Sequence, residues 1–209
     1  TISGIMVALV ALGFSLVYLP TRIFHIAIAG IISITPYICF TALDKNLSLK
    51  SAVILSLMVA VLVSILCELI NHRYLERKKA SHGSHLISSI GLYIVITQFV
   101  SMIWGNETMV FAKNNPAFNF SQVVVTRAQV FELLFGFTLL ISGFVWLRYS
   151  GLGLRYRALA DNPIELSLKG CNINHCRIFA FAISGFFAGV ASLATAYDVG
   201  FEPYGGLHM

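Results

Sequence analysis

Histidines and carboxylates are the first residues to consider for chemistry in this chain. His82 and His85 lie three positions apart, with His72 shortly before them, a spacing compatible with metal ligands. No carboxylate or cysteine completes a ligand set beside them, so the sequence predicts no metal site. The sequence also contains no Ser/His/Asp or paired-carboxylate constellation and no Gly-x-x-x-x-Gly-Lys-Ser/Thr loop for nucleotide phosphates. We therefore predict that the chain is not an enzyme and binds no cofactor, including ATP.

Several polar side chains lie in the middle of long apolar runs, where an unpaired polar group is costly. Serine and threonine can bond to their own helix backbone, whereas Gln98 cannot do so easily. We predict that these side chains face protein or a polar path for a solute, with Gln98 as the first candidate. The set comprises Thr97, Gln98, Thr138, Ser142 and Ser184.

A polar segment over 155–170, between the last two apolar runs, has the strongest local structure signals. Asn162 is a good N-cap, Pro163 suits the first helical position, and Glu165 completes a capping box. Gly170 suits the position just past a helix end. The pattern predicts a short, firmly delimited helix over 163–169.

Such a helix needs a surface to pack on, because two turns are not stable alone in water. Ile164 and Leu168 are four positions apart and share one face of the helix. This face can cover the ends of the chain's own apolar helices, or it can dock on another protein. The residues by themselves leave both interpretations open.

The surroundings of these residues are strongly apolar. Hydrophobic residues make up 57% of the 209 residues and charged residues only 11%, against about 25% charged in a soluble domain. A helix crosses a bilayer with about 20 mostly apolar residues. We therefore predict an all-α integral membrane protein, a polytopic helical bundle forming one domain over 1–209. Its six predicted spans are 2–19, 23–43, 51–70, 86–104, 128–147 and 178–197.

The 14 Lys and Arg residues lie at the ends of the apolar runs, which indicates topology and argues against nucleic-acid binding. Alternating spans place ten of them on one side, which predicts that side to be cytoplasmic. The N-terminus, the loop 105–127 and the tail 198–209 are then outside. The ten are Arg22, Arg73, Arg77, Lys78, Lys79, Arg148, Arg155, Arg157, Lys169 and Arg177, and the other four are Lys45, Lys50, Lys113 and Arg127.

Gly185 and Gly189 form a small-xxx-small pair in the last apolar run. Residues of this size let two helices approach closely in lipid. We predict that this pair packs against a neighbouring helix.

Four stretches resemble a known family of bacterial proteins. The run Ala-Leu-Ala-Asp-Asn-Pro-Ile-Glu-Leu-Ser-Leu-Lys-Gly-Cys-Asn-Ile-Asn at 158–174 and the glycine-rich span at 179–189 are similar to ABC-importer permeases for branched-chain amino acids. Ribose-type sugar permeases belong to the same superfamily. The run Ala-Leu-Gly-Phe-Ser-Leu-Val-Tyr at 11–18 and the tail at 197–206 also resemble this family. The resemblance is strongest over 155–206.

The resemblance implies a role for the polar segment: in such permeases it is the cytoplasmic coupling element that docks in a cleft of a P-loop ATPase subunit. It implies an inner-membrane complex with a second permease subunit and an extracytoplasmic solute-binding protein, with ATP bound by the partner. The implied docking residues are Asp161, Asn162, Pro163, Ile164, Glu165, Leu168 and Gly170, bordered by Arg155 and Arg157.

The chain departs from the family pattern in two places. The run after Arg22 reads Ile-Phe-His-Ile-Ala, with His25 at the position of an expected asparagine. Family members also continue into further spans, so the resemblance implies a chain shortened at its C-terminus. A sugar, urea or nucleoside permease, an ATPase-independent channel or scaffold, and an inactive remnant remain alternatives.

Overall fold

The computed structural model describes residues 2–111, 117–120 and 123–207. Lys113 and the last two residues of the predicted outer tail therefore lie outside the described residues. The described chain is helical apart from a short hairpin, which confirms the predicted helical membrane bundle. The helices are α1 (Ile2–Thr21), α2 (Ile28–Asp44), α3 (Leu49–Leu66), α4 (Arg73–Arg77), α5 (His82–Trp104), α6 (Arg127–Tyr149), α7 (Gly151–Asp161), α8 (Pro163–Leu168) and α9 (Ile173–Asp198).

The remaining elements are short. A six-residue π-helical segment, Cys67–His72, joins α3 to α4, and a 3-10 turn, Gly205–Leu207, follows α9. Strands β1 (Ala117–Phe120) and β2 (Val123–Thr126) pair antiparallel, with Ala117 opposite Thr126. Among the described residues, five helices are long and apolar enough to cross a membrane, and α2 is a shorter apolar helix of 17 residues.

Helix α9 is the centre of the bundle and packs against α1, α2 and α3. Small residues allow this packing. A Cβ atom added at Gly185 would lie 2.6 Å from Ser64 Cβ, and one at Gly189 would lie 3.0 Å from Ala60 Cβ. The two glycines therefore bring α9 into close contact with α3.

Two prolines inside helices each leave a carbonyl without its helical donor, because proline has no N–H. Pro20 leaves Leu16 O free in α1, and Pro36 leaves Ile32 O free in α2. Other helices satisfy both groups. The Tyr156 hydroxyl donates to Leu16 O, and Ser192 Oγ donates to Ile32 O at 2.5 Å. In an apolar bundle these two bonds remove a large penalty.

The second helix starts later than the sequence predicts, at Ile28 instead of residue 23. Arg22 has a left-handed backbone (φ 55°), which ends α1. The next residues form tight turns, and the Ala27 N–H donates to Ser89 Oγ at 2.9 Å in α5. Residues 23–27 therefore link the helices as irregular chain, in which Ile23, His25 and Ala27 are buried.

The segment after α9 is not a free outer tail. Phe201 pairs with Met109 and packs on Tyr37, and five residues later the Gly206 N–H donates to Ser33 Oγ at 3.3 Å. Tyr37 and Ser33 are one turn apart on α2, so the segment runs back along this helix. Gly206 also lies against Ala29, one further turn along α2. From Tyr37 to Ala29 is roughly 12 Å along the helix axis. Residues 201–207 therefore return into the bundle, and the external position of the tail stays a prediction.

Candidate functional site

A sharp corner between α6 and α7 positions the predicted coupling segment. Ser150 ends α6, and its Oγ accepts a hydrogen bond from Gly153 N at 2.8 Å. A Cβ at residue 153 would lie within 2.8 Å of Leu147 backbone atoms, so only glycine fits. The Arg157 side chain donates to Arg148 O at 3.0 Å and closes the corner from the other side. Arg157, predicted to border a partner, thus also bonds within the chain.

Helix α7 lies on the ends of α1 and α9 through one buried face. Tyr156 and Leu159 are buried on this face, whereas Arg155 and Arg157 are exposed. The Tyr156 hydroxyl donates to the Leu16 carbonyl that Pro20 leaves free. Burial raises the pKa of Tyr156, so the hydroxyl keeps its proton and remains a donor. A firmly seated α7 therefore carries α8.

Replacing Tyr156 by phenylalanine is expected to lower the free energy of unfolding by about 1–3 kcal/mol, because Leu16 O is then buried without a donor. The measurement is the thermal unfolding midpoint of the purified protein in detergent. Tyr149→Phe is the matched control, since Tyr149 is 77% exposed.

The origin of this loss is testable in a Pro20→Ala background. Alanine at position 20 supplies the helical N–H that Leu16 O lacks. We expect Tyr156→Phe to destabilise this background much less than the parent protein. An equal loss in both backgrounds would contradict the assigned role of the hydroxyl.

Helix α8 begins at the predicted residue and ends at Leu168, one residue before the predicted end. Asn162 Oδ1 accepts hydrogen bonds from Ile164 N at 3.1 Å and Glu165 N at 3.3 Å, and Pro163 occupies the first turn. Gly170 has φ 79°, and its N–H donates to Ser167 O at 3.0 Å. The capping box is only half formed, because the Asn162 N–H donates to Ala158 O at the end of α7.

Helix α8 has one anchor and a broad exposed face. Leu166 is its buried residue and holds it to the bundle. Ile164 and Leu168 are 72% and 82% exposed. Exposed acids, Asp161 and Glu165, accompany this face. Two large apolar side chains and two carboxylates are therefore exposed here, and no other described residue of the chain covers them.

A buried ion pair ties the start of α9 to the π-helical segment. Arg177 Nε lies 2.7 Å from Glu68 Oε1, and Arg177 Nη2 lies 3.3 Å from Glu68 Oε2. Arg177 also pairs with Glu76 of α4. Glu68 and Arg177 are 2% and 5% exposed. Because α9 follows α8 after a four-residue link, this pair connects the coupling segment to the core.

Three histidines lie next to this pair. His72 and His85 are buried, with their Nδ1 atoms 3.3 Å apart, and His25 is fully buried with its ring 5.6 Å from that of His72. Sequence reasoning had grouped His82 with His72 and His85, but His82 is exposed. In the described part of the chain, no group of three or more His, Cys, Asp or Glu residues is arranged to hold a metal ion.

The predicted polar-path residues do not share one site. Thr97 and Gln98 lie on α5, which packs on α2, whereas Thr138 and Ser142 lie on α6, which packs on α1. Thr97, Thr138 and Ser142 bond to carbonyls of their own helices, and Gln98 Nε2 donates to the Tyr204 hydroxyl at 3.1 Å. Ser184 is buried in α9, and its Oγ has no hydrogen-bond partner among the described residues. Their transport roles stay predictions.

Sequence reasoning missed the residues that hold the coupling segment in place. Pro20 in an apolar run was the available signal, since it frees the carbonyl four positions earlier. The sequence contained no local signal for Tyr156, for Leu166 or for Glu68 as the partner of Arg177. Their contacts depend on tertiary packing.

A family model described as "Branched-chain amino acid transport system / permease component" matches residues 1–205. No curated protein and no solved structure matches the chain.

Proposed function

The chain belongs to the family of permease components of branched-chain amino acid transport systems, and from this premise we propose that it is the membrane subunit of an ATP-driven importer for branched-chain amino acids. Its helices make it a multi-pass membrane protein. The proposed location is the bacterial inner membrane, with the N-terminus outside. A separate P-loop ATPase would bind and hydrolyse ATP.

The observation that carries this proposal is the exposed face of α8. A capped helix with Ile164 and Leu168 mostly exposed is suited to fill an apolar cleft of a partner. Fully burying each such side chain contributes about 1.5–3 kcal/mol. Asp161, Asn162, Pro163, Glu165 and Gly170 frame this face, and Arg155 and Arg157 border it on α7.

The surrounding contacts support transmission of a rigid-body movement. Helix α8 is held by Leu166 and by α7, which is seated at Tyr156 and Leu159. Arg177 then joins α9 to the π-helical segment. A displacement of α8 therefore reaches α1, α3 and α9 without unwinding a helix.

The proposed complex contains a second, homologous permease subunit and an external solute-binding protein. The latter would deliver the amino acid at the end of the bundle formed by the loop 105–127 and the start of the returning segment at Phe201. The Met109–Phe201 bridge joins these two parts.

Uptake by proteoliposomes tests the proposal. The purified permease, its ATPase, its second permease subunit and its binding protein are reconstituted and supplied with labelled leucine, ribose or urea. We expect leucine uptake only when ATP is present on the side of the membrane where the ATPase subunit is bound. ATP-driven uptake of ribose or urea alone would indicate the same architecture with another substrate. Uptake without ATP would indicate a channel and contradict the proposal.

A further inference from the structure

A cavity of about 390 Å³ lies between α2, the end of α9 and the returning segment after α9. This volume falls in the range of about 300–1,000 Å³ that is typical of small-molecule sites. Thr108 and Phe201 line it near the Met109–Phe201 bridge, and Gly206 lines it at the far end. The cavity therefore extends from the end of the bundle along α2.

The backbone around this cavity is irregular. In apolar surroundings, irregular backbone occurs only where it lines a cavity or is buried inside protein. Pro36 interrupts the hydrogen bonding of α2, and Ser192 Oγ replaces the missing donor to Ile32 O. Gly200 has φ 100°, and a Cβ added at Gly206 would collide with Ala29 of α2. The glycines thus allow the segment to return close to α2 and form the cavity wall.

Among the described residues, one charged side chain, Glu202, lines the cavity. It forms no ion pair with any described residue. Three of the four hydroxyls among the wall residues, all except that of Thr108, donate to carbonyls: Ser33 to Ala29, Ser192 to Ile32 and Thr195 to Ala191. The remaining wall is mostly aliphatic or aromatic. A ligand that matches this wall has an ammonium group beside a compact apolar side chain.

We propose that this cavity binds the transported amino acid, with the Glu202 carboxylate pairing with its α-ammonium group. This inference rests on the proposed function. The aliphatic side chain of the substrate lies against Ile32, Pro36 and Val199, which line the same cavity. Glu202 therefore selects zwitterionic amino acids over carboxylic acids of the same shape.

Protection from thiol labelling tests the site. Thr195 lines the cavity, and Thr195→Cys is introduced into the reconstituted importer with its native cysteines replaced. We expect a membrane-impermeant maleimide to label this cysteine and L-leucine to protect it. 4-Methylpentanoate, which lacks the ammonium group, is expected to give no protection.

Substitutions of Glu202 sharpen the test. Glu202→Gln should raise the leucine concentration needed for protection by about tenfold or more, because a charge-assisted hydrogen bond is lost. Glu202→Asp keeps the charge and should retain the preference for leucine over 4-methylpentanoate. Asp44→Asn is the control, because Asp44 is an exposed carboxylate at the end of α2 that does not line the cavity.

Three results would overturn the site: no labelling of Thr195→Cys, equal protection by 4-methylpentanoate, or unchanged protection in Glu202→Gln. ATP-driven leucine uptake is measured on the same proteoliposomes. If uptake persists while any of these results is found, the cavity assignment fails and the importer function stands. If no ATP-driven uptake of leucine occurs in the parent protein, the proposed function itself fails.

Discussion

Reversing the charge of Asp161 and Glu165 to lysine is expected to lower substrate-stimulated ATP hydrolysis by the reconstituted importer about 100-fold. Both carboxylates are exposed, so their replacement leaves the bundle packing intact. At a partner interface, like charges brought together cost several kcal/mol. The measurement is ATPase activity with and without liganded binding protein, together with the amount of ATPase subunit that co-purifies.

Asp44→Lys is the control. It reverses the charge of an exposed acid at the end of α2, away from α8 and outside the loop 105–127. The thermal unfolding midpoint of both variants should stay within a few degrees of the parent, since exposed charges contribute little to stability. Normal coupling in the Asp161/Glu165 variant would refute the docking role of α8.

Removing the cation of the buried ion pair is expected to have the largest effect on stability. Arg177→Met leaves Glu68, which is 2% exposed, without its cation. An uncompensated buried charge of this kind costs about 3–5 kcal/mol. The measurement is the unfolding midpoint in detergent. Uptake should fall with it, because α9 then loses its connection to the π-helical segment.

The double variant Arg177→Met with Glu68→Gln separates the two possible causes. If the loss comes from the stranded carboxylate, the neutral pair should be more stable than Arg177→Met alone. Glu76→Gln is the control on the same arginine and should cost less than about 1 kcal/mol, because the Glu76 side chain is 55% exposed. A double variant that is less stable than Arg177→Met would contradict this assignment.

The sequence was sufficient for the elements whose signals are local. Long apolar runs predicted the membrane helices, because hydrocarbon thickness fixes their length. Asn162, Pro163 and Gly170 predicted the ends of α8, because caps depend on neighbouring residues only. The motifs at 11–18, 158–174, 179–189 and 197–206 also predicted the family, which the match over residues 1–205 confirms.

The sequence was insufficient where the structure depends on distant partners. The π-helical segment places Glu68 and His72 inside the bundle. Glu68 pairs there with Arg177, which lies 109 residues away in the sequence. Ser192 Oγ donates a hydrogen bond to Ile32 O, 160 residues away in the sequence. Such bonds leave no local pattern. The returning segment was missed because Pro203, Gly205 and Gly206 are equally typical of an outer loop.

The predicted polar path illustrates a different limit. Polar residues in apolar runs were grouped by their depth along the chain, but depth does not specify which helices are neighbours. The bundle places α5 beside α2 and α6 beside α1. The wall of the cavity instead includes the backbone of the returning segment and Glu202. No local pattern in the sequence indicated that Glu202 lines a cavity.

Labelling of a single cysteine at position 168 tests most directly whether α8 meets an ATPase on the cytoplasmic side, as we propose. Leu168 is 82% exposed, so Leu168→Cys is accessible once the four native cysteines are replaced. We predict that a membrane-impermeant maleimide labels it in inverted vesicles but not in intact cells, and that the bound ATPase subunit blocks this labelling. Labelling of Leu168→Cys in intact cells would place α8 outside and contradict the account.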